Sequence, residues 1–227
     1  MTADNVIFIT GTDTDVGKTM VSLLALHRLS AMDAVYLKPV QTGCQDPNED
    51  SDPAFIHRHL PNGLPGAMTP AECICACRTR PKAPLFAGEP VDPDQLVRFV
   101  QKYAARHELV VVEGAGGLLV PITERRTMLD LAESLRARVL VVARAGLGTI
   151  NHTLQTLRLL ADKNLPCLGV VLVDPTDAVP VTDRVENAHA ITLFSGRPVH
   201  GIIGAVGDPA RPEPSVLGLL DFLLPGS

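Results

Sequence analysis

This sequence predicts a doubly wound, mostly parallel α/β sheet with helices on both faces, folded as a single domain over residues 1–227. Three observations point to it. Short apolar, β-branched runs alternate along the chain with segments of helical spacing, the pattern of a sheet covered by helices on both sides. The first run, Val6–Thr10, leads through the glycine-bearing stretch Gly11-Thr12-Asp13-Thr14-Asp15-Val16-Gly17-Lys18-Thr19 into a helical segment, Met20–Leu29. A length of 227 residues, 46% of them hydrophobic and 20% charged, suits one α/β domain with a sizeable core.

The elements follow in order. Ala34–Leu37 reads as a second strand ending at Lys38-Pro39, and a loop rich in Gly, Pro, Asn and Asp follows through Asp50. Ser51-Asp52-Pro53 starts a helix, with a capping side chain followed by a proline whose missing N–H costs nothing there. Residues 61–70 are loop. Glu72–Cys77 alternates cysteine with other residues, and on a strand that period would align three sulfurs on one face. The spacing is not Cys-x-x-Cys, so small apolar side chains filling a core are the expectation, rather than a thiolate metal site. Asp92-Pro93 starts a helix with Leu96, Val97, Val100 and Tyr103 at helical spacing. Leu109–Val112 is an apolar strand running into Glu113-Gly114-Ala115-Gly116-Gly117. A helix over 127–136, a strand over 138–143, a helix over Ile150–Asp162, a strand over Cys167–Val173, a helix over Asp183–Phe194 and a short strand over Val199–Ile203 complete the reading.

The net charge of −5, with no basic block, argues against nucleic acid as a partner. The N-terminus Met1–Asn5 shows no signal-peptide pattern, and no apolar run reaches the length of a membrane span. Five cysteines, an odd number, suggest reduced thiols in the cytoplasm.

In sheets of this kind ligands bind beyond the carboxyl ends of the strands. The polar residues there are Lys18 and Thr19, Lys38 and Thr42, Glu113, the loop at Gly148, and Asp174. A strand, a glycine loop and a helix opening on Lys-Thr form a phosphate-binding site. Helix-start N–H groups, the positive end of the helix dipole and an ammonium all face one oxyanion, and the Thr19 hydroxyl is placed for Mg²⁺. Five residues rather than four separate Gly11 from Gly17, a departure from the general pattern. Glu113 and Asp52 are carboxylates suited to Mg²⁺, which takes one or two carboxylates besides phosphates. Lys38 offers a second cation for charge that develops in phosphoryl transfer.

Gly11–Thr19, Lys38-Pro-Val-Gln-Thr-Gly43, Glu113–Gly117 and Gly148-Thr-Ile-Asn-His152 occur in one order and spacing. Together they resemble the dethiobiotin synthetase family of the P-loop nucleotide-binding fold, whose own loop has the five-residue spacing. The resemblance covers about residues 6–174. It implies one P-loop ATP-dependent ligase domain. It also implies that ATP, CO₂ and diaminopelargonic acid react through a carbamate and a carbamic–phosphoric anhydride to close a cyclic urea. Carried onto this chain, the catalytic set is Thr14, Asp15, Lys18 and Lys38. The nucleotide falls to Asp15, Val16, Gly17, Lys18, Thr19, Met20, Asp52, Glu113, Gly114, Ala115, Gly116, Val173, Asp174 and Gly204. The substrate falls to Thr42, Gly148, Thr149, Ile150 and Asn151, and Mg²⁺ to Thr19, Asp52 and Glu113. A homodimer with substrate at the subunit interface is implied as well. Val173 stands where many members carry the asparagine that reads adenine, and a valine cannot pair with a base edge; other nucleoside triphosphates are therefore expected to serve. The rival readings are a partitioning-type ATPase switch and a related P-loop amidoligase. A second early loop lysine, marking the former, is absent (Asp13 is there), and no glutaminase segment marks the latter.

Overall fold

The computed structural model describes residues 5–225; Met1–Asp4, within the N-terminal stretch that shows no signal-peptide pattern in sequence, lie outside it. Its centre is a six-stranded sheet built from β1 (Val6–Gly11), β2 (Ala34–Leu37), β5 (Leu109–Gly117), β6 (Arg138–Arg144), β7 (Cys167–Val173) and β8 (Val199–Ile203), in the order β2-β5-β1-β6-β7-β8. Every adjacent pair in it is parallel. The inner strands are near-continuous runs of Val, Ile and Leu because both their faces are covered. Among the described residues seven α-helices accompany the sheet: α1 (Lys18–Arg28), α2 (Asp52–His59), α3 (Pro93–Ala104), α4 (Met128–Ser134), α5 (Thr149–Asp162), α6 (Val181–Ser195) and α7 (Pro214–Gly218). From β1 the chain steps past β5 to β2; later it steps the opposite way, from β5 to β6, β7 and β8. Right-handed crossovers therefore place α1 on one face and α4 to α6 on the other. The carboxyl end of β1, where the direction reverses, is the switch point at which such sheets bind ligands.

Local chemistry fixes the helix starts. Ser51 accepts the Ala54 N–H at 3.1 Å and Asp92 accepts the Asp94 N–H at 2.9 Å, as the cap-plus-proline signals predict. Gly17 caps α1 with φ +97°, where a Cβ would also lie 2.9 Å from the Val173 side chain. That position is closed to any other residue on two independent grounds.

Three expectations are corrected. The loop after Pro39 contains a strand, β3 (Val40–Thr42), which pairs in parallel with β4 (Ala76–Arg78) in a separate two-stranded sheet. Residues Glu72–Cys77 do not form one strand. Thr69 donates both its N–H and its hydroxyl to Glu72, at 2.7 and 2.8 Å, and this nucleates a 3₁₀ turn over Ala71–Cys73. Extended pairing starts only at Ala76, so the three sulfurs do not share a strand face. Cys73 is wholly buried, and burial first, then the Glu72 charge, pushes its thiol up to about 12. All five cysteines are free, and no set of three metal-ligating side chains gathers among the described residues. The strand expected over 109–112 runs on to Gly117, which draws Glu113 into the sheet. No helix among the described residues is long and apolar enough to cross a membrane.

Helix α4 starts at Thr127, whose N–H and hydroxyl both donate to Asp130 at 2.7 Å. Burial would raise the Asp130 carboxyl, but the Thr127 hydrogen bonds and the Arg126 charge more than reverse it and leave it low. A depressed carboxylate stabilises the fold above its unfolded pKa, and that contribution disappears as pH falls through the folded value. Asp130→Ala should therefore cost about 1 kcal/mol in urea unfolding at neutral pH. The gap to the wild type should close on the acid side; a gap that stays constant with pH would refute this account.

Candidate active site

Strand register assembles the site. Val112 pairs with Leu37 and Ile9 pairs with Glu113. Lys38, the residue after Leu37, therefore arrives beside Glu113, the residue after Val112. Alternation along β2 places Tyr36 on the same face as Lys38. Helix α1 lies over β1, β2 and β5, and brings Thr19 and Ser22 down onto that face.

The result is a buried carboxylate with a full set of partners. Glu113 Oε1 accepts from Thr19 Oγ1 and Lys38 Nζ, each at 2.9 Å. Its Oε2 accepts from Ser22 Oγ at 2.8 Å and Tyr36 O–H at 2.9 Å. Two oxygens with two lone pairs each are thereby filled. Lys38 Nζ donates also to the Gly114 carbonyl at 3.1 Å and pairs with Asp52 at 2.7 Å. Burial opposes charge on every member, and pairing decides the outcome. The Lys38 ammonium would be lowered by burial, but Glu113 and Asp52 raise it above the ordinary lysine value. Burial would raise Glu113, yet Lys38, then Lys18 and Ser22, hold it low. Asp52 is raised by burial and by Glu113 against the pull of Lys38. Burial, then the Glu113 and Asp52 charges, hold the Tyr36 phenol well above its usual value, so it stays a donor.

These groups border a cavity of about 700 Å³. Thr14, Asp15, Gly17, Lys18, Thr19, Met20, Lys38, Thr42, Asp52, Glu113, Ala115 and Gly116, all expected at the site, line it. Val16 and Gly114 are buried just behind. Asp15 holds φ +54°, the left-handed conformation that a short polar side chain tolerates. Arg144, at the end of β6, steadies the loop by donating to the Thr14 carbonyl at 3.2 Å and approaching Asp13 at 3.5 Å. Lys18 Nζ turns back onto the Asp13 carbonyl at 3.2 Å, and burial above all lowers its pKa.

A second cavity of about 870 Å³ adjoins the first and shares Thr14 and Val120 with it. Asn151 lines it, whereas Gly148, Thr149 and Ile150 line neither. Gly148 caps α5 with φ +88°. Val173, Asp174 and Gly204 lie at the ends of β7 and β8, outside both linings. The Val173 side chain is spent against Gly17. Asp174 accepts the Val179 N–H at 2.9 Å and faces Arg184 at 3.5 Å. On this side the residue that reaches the first cavity is Pro175.

Sequence reasoning missed Tyr36, Ser22 and Gln41. Gln41, buried, accepts the Asp52 N–H at 3.1 Å and so orients α2 toward the site. Period two from Lys38 could have found Tyr36, and one helical turn from Thr19 could have found Ser22.

The residues present suit a divalent cation. The cavity lining carries Lys18, Lys38 and Lys82 against Asp15, Asp52 and Glu113, so it is formally neutral, and a polyphosphate placed there needs added positive charge. The Thr19 hydroxyl proton goes to Glu113, which leaves its oxygen lone pairs for a cation. Asp52 keeps about a third of its side chain open (31%).

Known proteins similar to this chain identify its family. A family model described as an AAA domain matches residues 5–212. The ATP-dependent dethiobiotin synthetase of Anaeromyxobacter sp. (strain K) is 46% identical over 207 residues, 85% of this chain and 90% of that protein. Those of Mycobacterium avium (strain 104) and Saccharopolyspora erythraea are 43% and 38% identical, the former over 88% of this chain and 87% of that protein, the latter over 91% of both. Among solved structures, a ParA family ATPase from Chlorobium tepidum TLS superposes with TM-score 0.57 at 12% identity, over 99% of this chain and 93% of that one. The MinC:MinD cell division complex of Aquifex aeolicus gives TM-score 0.60 at 13% identity, over 96% and 93%. At such identities these two likenesses concern the fold alone. A six-stranded parallel sheet with its phosphate loop at the switch point, and identity that runs over most of the chain, establish that this protein belongs to the ATP-dependent dethiobiotin synthetase family.

Proposed function

We propose that this chain is an ATP-dependent cyclo-ligase that converts 7,8-diaminopelargonic acid and CO₂ to dethiobiotin, with ADP and phosphate as the other products, in biotin biosynthesis. The observation that carries the reading is the Lys38 ammonium, held between Asp52 and Glu113 on the wall it shares with the phosphate loop. One amine of the substrate takes up CO₂ and loses a proton, giving a carbamate. A carbamate oxygen attacks the γ-phosphorus and ADP leaves. The second amine then attacks the carbamate carbon, and phosphate leaves as the urea ring closes.

Lys18 and Lys38 stabilise charge on the transferring phosphoryl oxygens and on the carbamate. The N–H groups of Asp15 to Met20 at the start of α1, with the helix dipole, hold the polyphosphate. Thr42 contacts the reacting end of the diamine. Bound Mg²⁺ would neutralise polyphosphate charge, with Thr19 and Asp52 holding it; Glu113, expected among its ligands, has both oxygens filled by four donors and instead orients Thr19 from behind. The second cavity, continuous with Thr14, takes the remainder of the substrate. A second copy of the chain closes that cavity and supplies the Gly148–Asn151 helix start to the substrate carboxylate. Leu147, fully exposed, and Leu119, 61% exposed, support such an interface. A reducing, cytoplasmic setting suits the five free cysteines.

The base side is read as loosely selective, because the side chains of Val173 and Asp174 are committed elsewhere.

Phosphate release should require both diaminopelargonic acid and bicarbonate. Lys18→Ala and Lys38→Ala should each lower kcat by about 100-fold or more. Release that is indifferent to the diamine would point instead to a nucleotide switch. Across ATP, CTP, GTP and UTP, kcat/KM should vary within about tenfold, equivalent to about 1.4 kcal/mol. A strict preference for ATP would overturn the loose-base reading and leave the ligase reading standing.

A further inference from the structure

Glu113 divides its two oxygens between different surroundings. Oε1 meets Thr19 and Lys38, both of which line the 700 Å³ cavity. Oε2 meets Tyr36 and Ser22, neither of which lines it. Tyr36 is fully buried and Ser22 likewise, at 0% exposure each. The terminal torsion of a glutamate is broad and soft, so one pair of hydrogen bonds would leave the carboxylate free to pivot. Two donors on the far oxygen remove that freedom. They also satisfy lone pairs that would otherwise turn toward the Thr19 hydroxyl or the Lys38 ammonium.

We propose that Tyr36, acting with Ser22, is a positioning residue for the Mg²⁺–nucleotide site. By holding Glu113 Oε2 it fixes Oε1, which in turn directs the Thr19 hydroxyl oxygen and the Lys38 ammonium into the cavity. The role follows from β2 itself. Lys38 is aimed at Glu113 by register, and the residue two earlier on the same face arrives at the other carboxylate oxygen. Groups behind a metal ligand act in this way by fixing its orientation. The inference rests on the reading that a nucleotide and a divalent cation occupy this cavity, but its test does not depend on the diamine chemistry.

The test compares wild type with Tyr36→Phe, which keeps the ring and removes the hydroxyl. Mn²⁺ affinity is read from the electron paramagnetic resonance signal of free Mn²⁺ in the presence of ADP, alongside metal-free ADP binding and thermal melting. Tyr36→Phe should weaken Mn²⁺ binding about tenfold or more and lower kcat by a similar factor. Metal-free ADP affinity should stay within about twofold. A role in packing alone predicts a lower melting temperature with Mn²⁺ affinity unchanged, and that result overturns the proposal. Where Tyr36→Phe gives no cooperative melt, Ser22→Ala reads the same oxygen and decides. It should weaken Mn²⁺ binding, Ser22→Thr should restore it, and unchanged Mn²⁺ affinity in Ser22→Ala overturns the proposal. A wild type that binds Mn²⁺ with ADP but releases no phosphate with the diamine would remove the ligase reading and leave this one intact. A wild type that binds no Mn²⁺ with ADP overturns both.

Discussion

The contact between Lys38 and Glu113, 2.9 Å apart with both side chains almost wholly buried, is the constraint on which the site depends. Taking either ion out of water costs several kcal/mol, and mutual attraction compensates only when geometry is good and the remaining hydrogen-bonding capacity is met. Glu113 meets that condition with four donors, drawn from β2, the residue after it and the first turns of α1. Lys38 meets it with two carboxylates and a backbone carbonyl. Removing Lys38 leaves the Glu113 charge without an ion-pair partner, whereas removing Glu113 leaves Lys38 paired with Asp52. Three elements are thus fixed to one another by a single buried charge.

That fixation is what makes the phosphate loop usable. The loop, residues 12–17, is open at its tip, where Asp13, Thr14 and Asp15 are exposed. Its two ends are not free to move. Gly11 closes β1, and α1 is pinned through Thr19 and Ser22 to Glu113. Gly17 rests against Val173 with no room for a side chain. Arg144 holds the tip from the side of β6. A chain with this little regular structure can present its N–H groups to an anion without first ordering itself, because sheet and helix have already done so.

The fold was legible because parallel sheets write themselves as apolar runs, and the polar residues in or just past β1, β2, β5 and β7 read as a site. The strand β3 was not legible. Val40-Gln41-Thr42 is short, follows a proline and precedes glycine, and its pairing with β4 is a tertiary event that local periodicity does not encode. The cysteine alternation misled because Thr69 and Glu72 form a turn whose hydrogen bonds outcompete extended backbone. At the site, motif residues that line the cavity are visible in the sequence, and the groups behind them are not. Tyr36 reads as one strand residue among others, and Gln41 as a loop residue, until the structure shows which carboxylate and which N–H they meet. Ser22 reads as an interruption in an apolar helix face, and its reason lies 91 residues away in Glu113.

The charges near the loop set its two lysines apart. Lys38 is saturated by Glu113 and Asp52, so its ammonium is raised and its position is rigid. Among the described residues Lys18 has no carboxylate in hydrogen-bond contact. Burial depresses it, with Lys38 adding to the effect, and its hydrogen-bond acceptor among them is the Asp13 carbonyl. An anion entering the loop offers Lys18 a stronger partner than that carbonyl and relieves the penalty of its burial. Lys38 gains less from the same anion, since its field is already met from within the protein. The first lysine is therefore the one whose energy changes most when polyphosphate binds. The second is an anchored charge; in the proposed reaction it is pre-set for a group that forms only as the phosphoryl transfers, and preorganised charge of that kind lowers a barrier without having to reorganise.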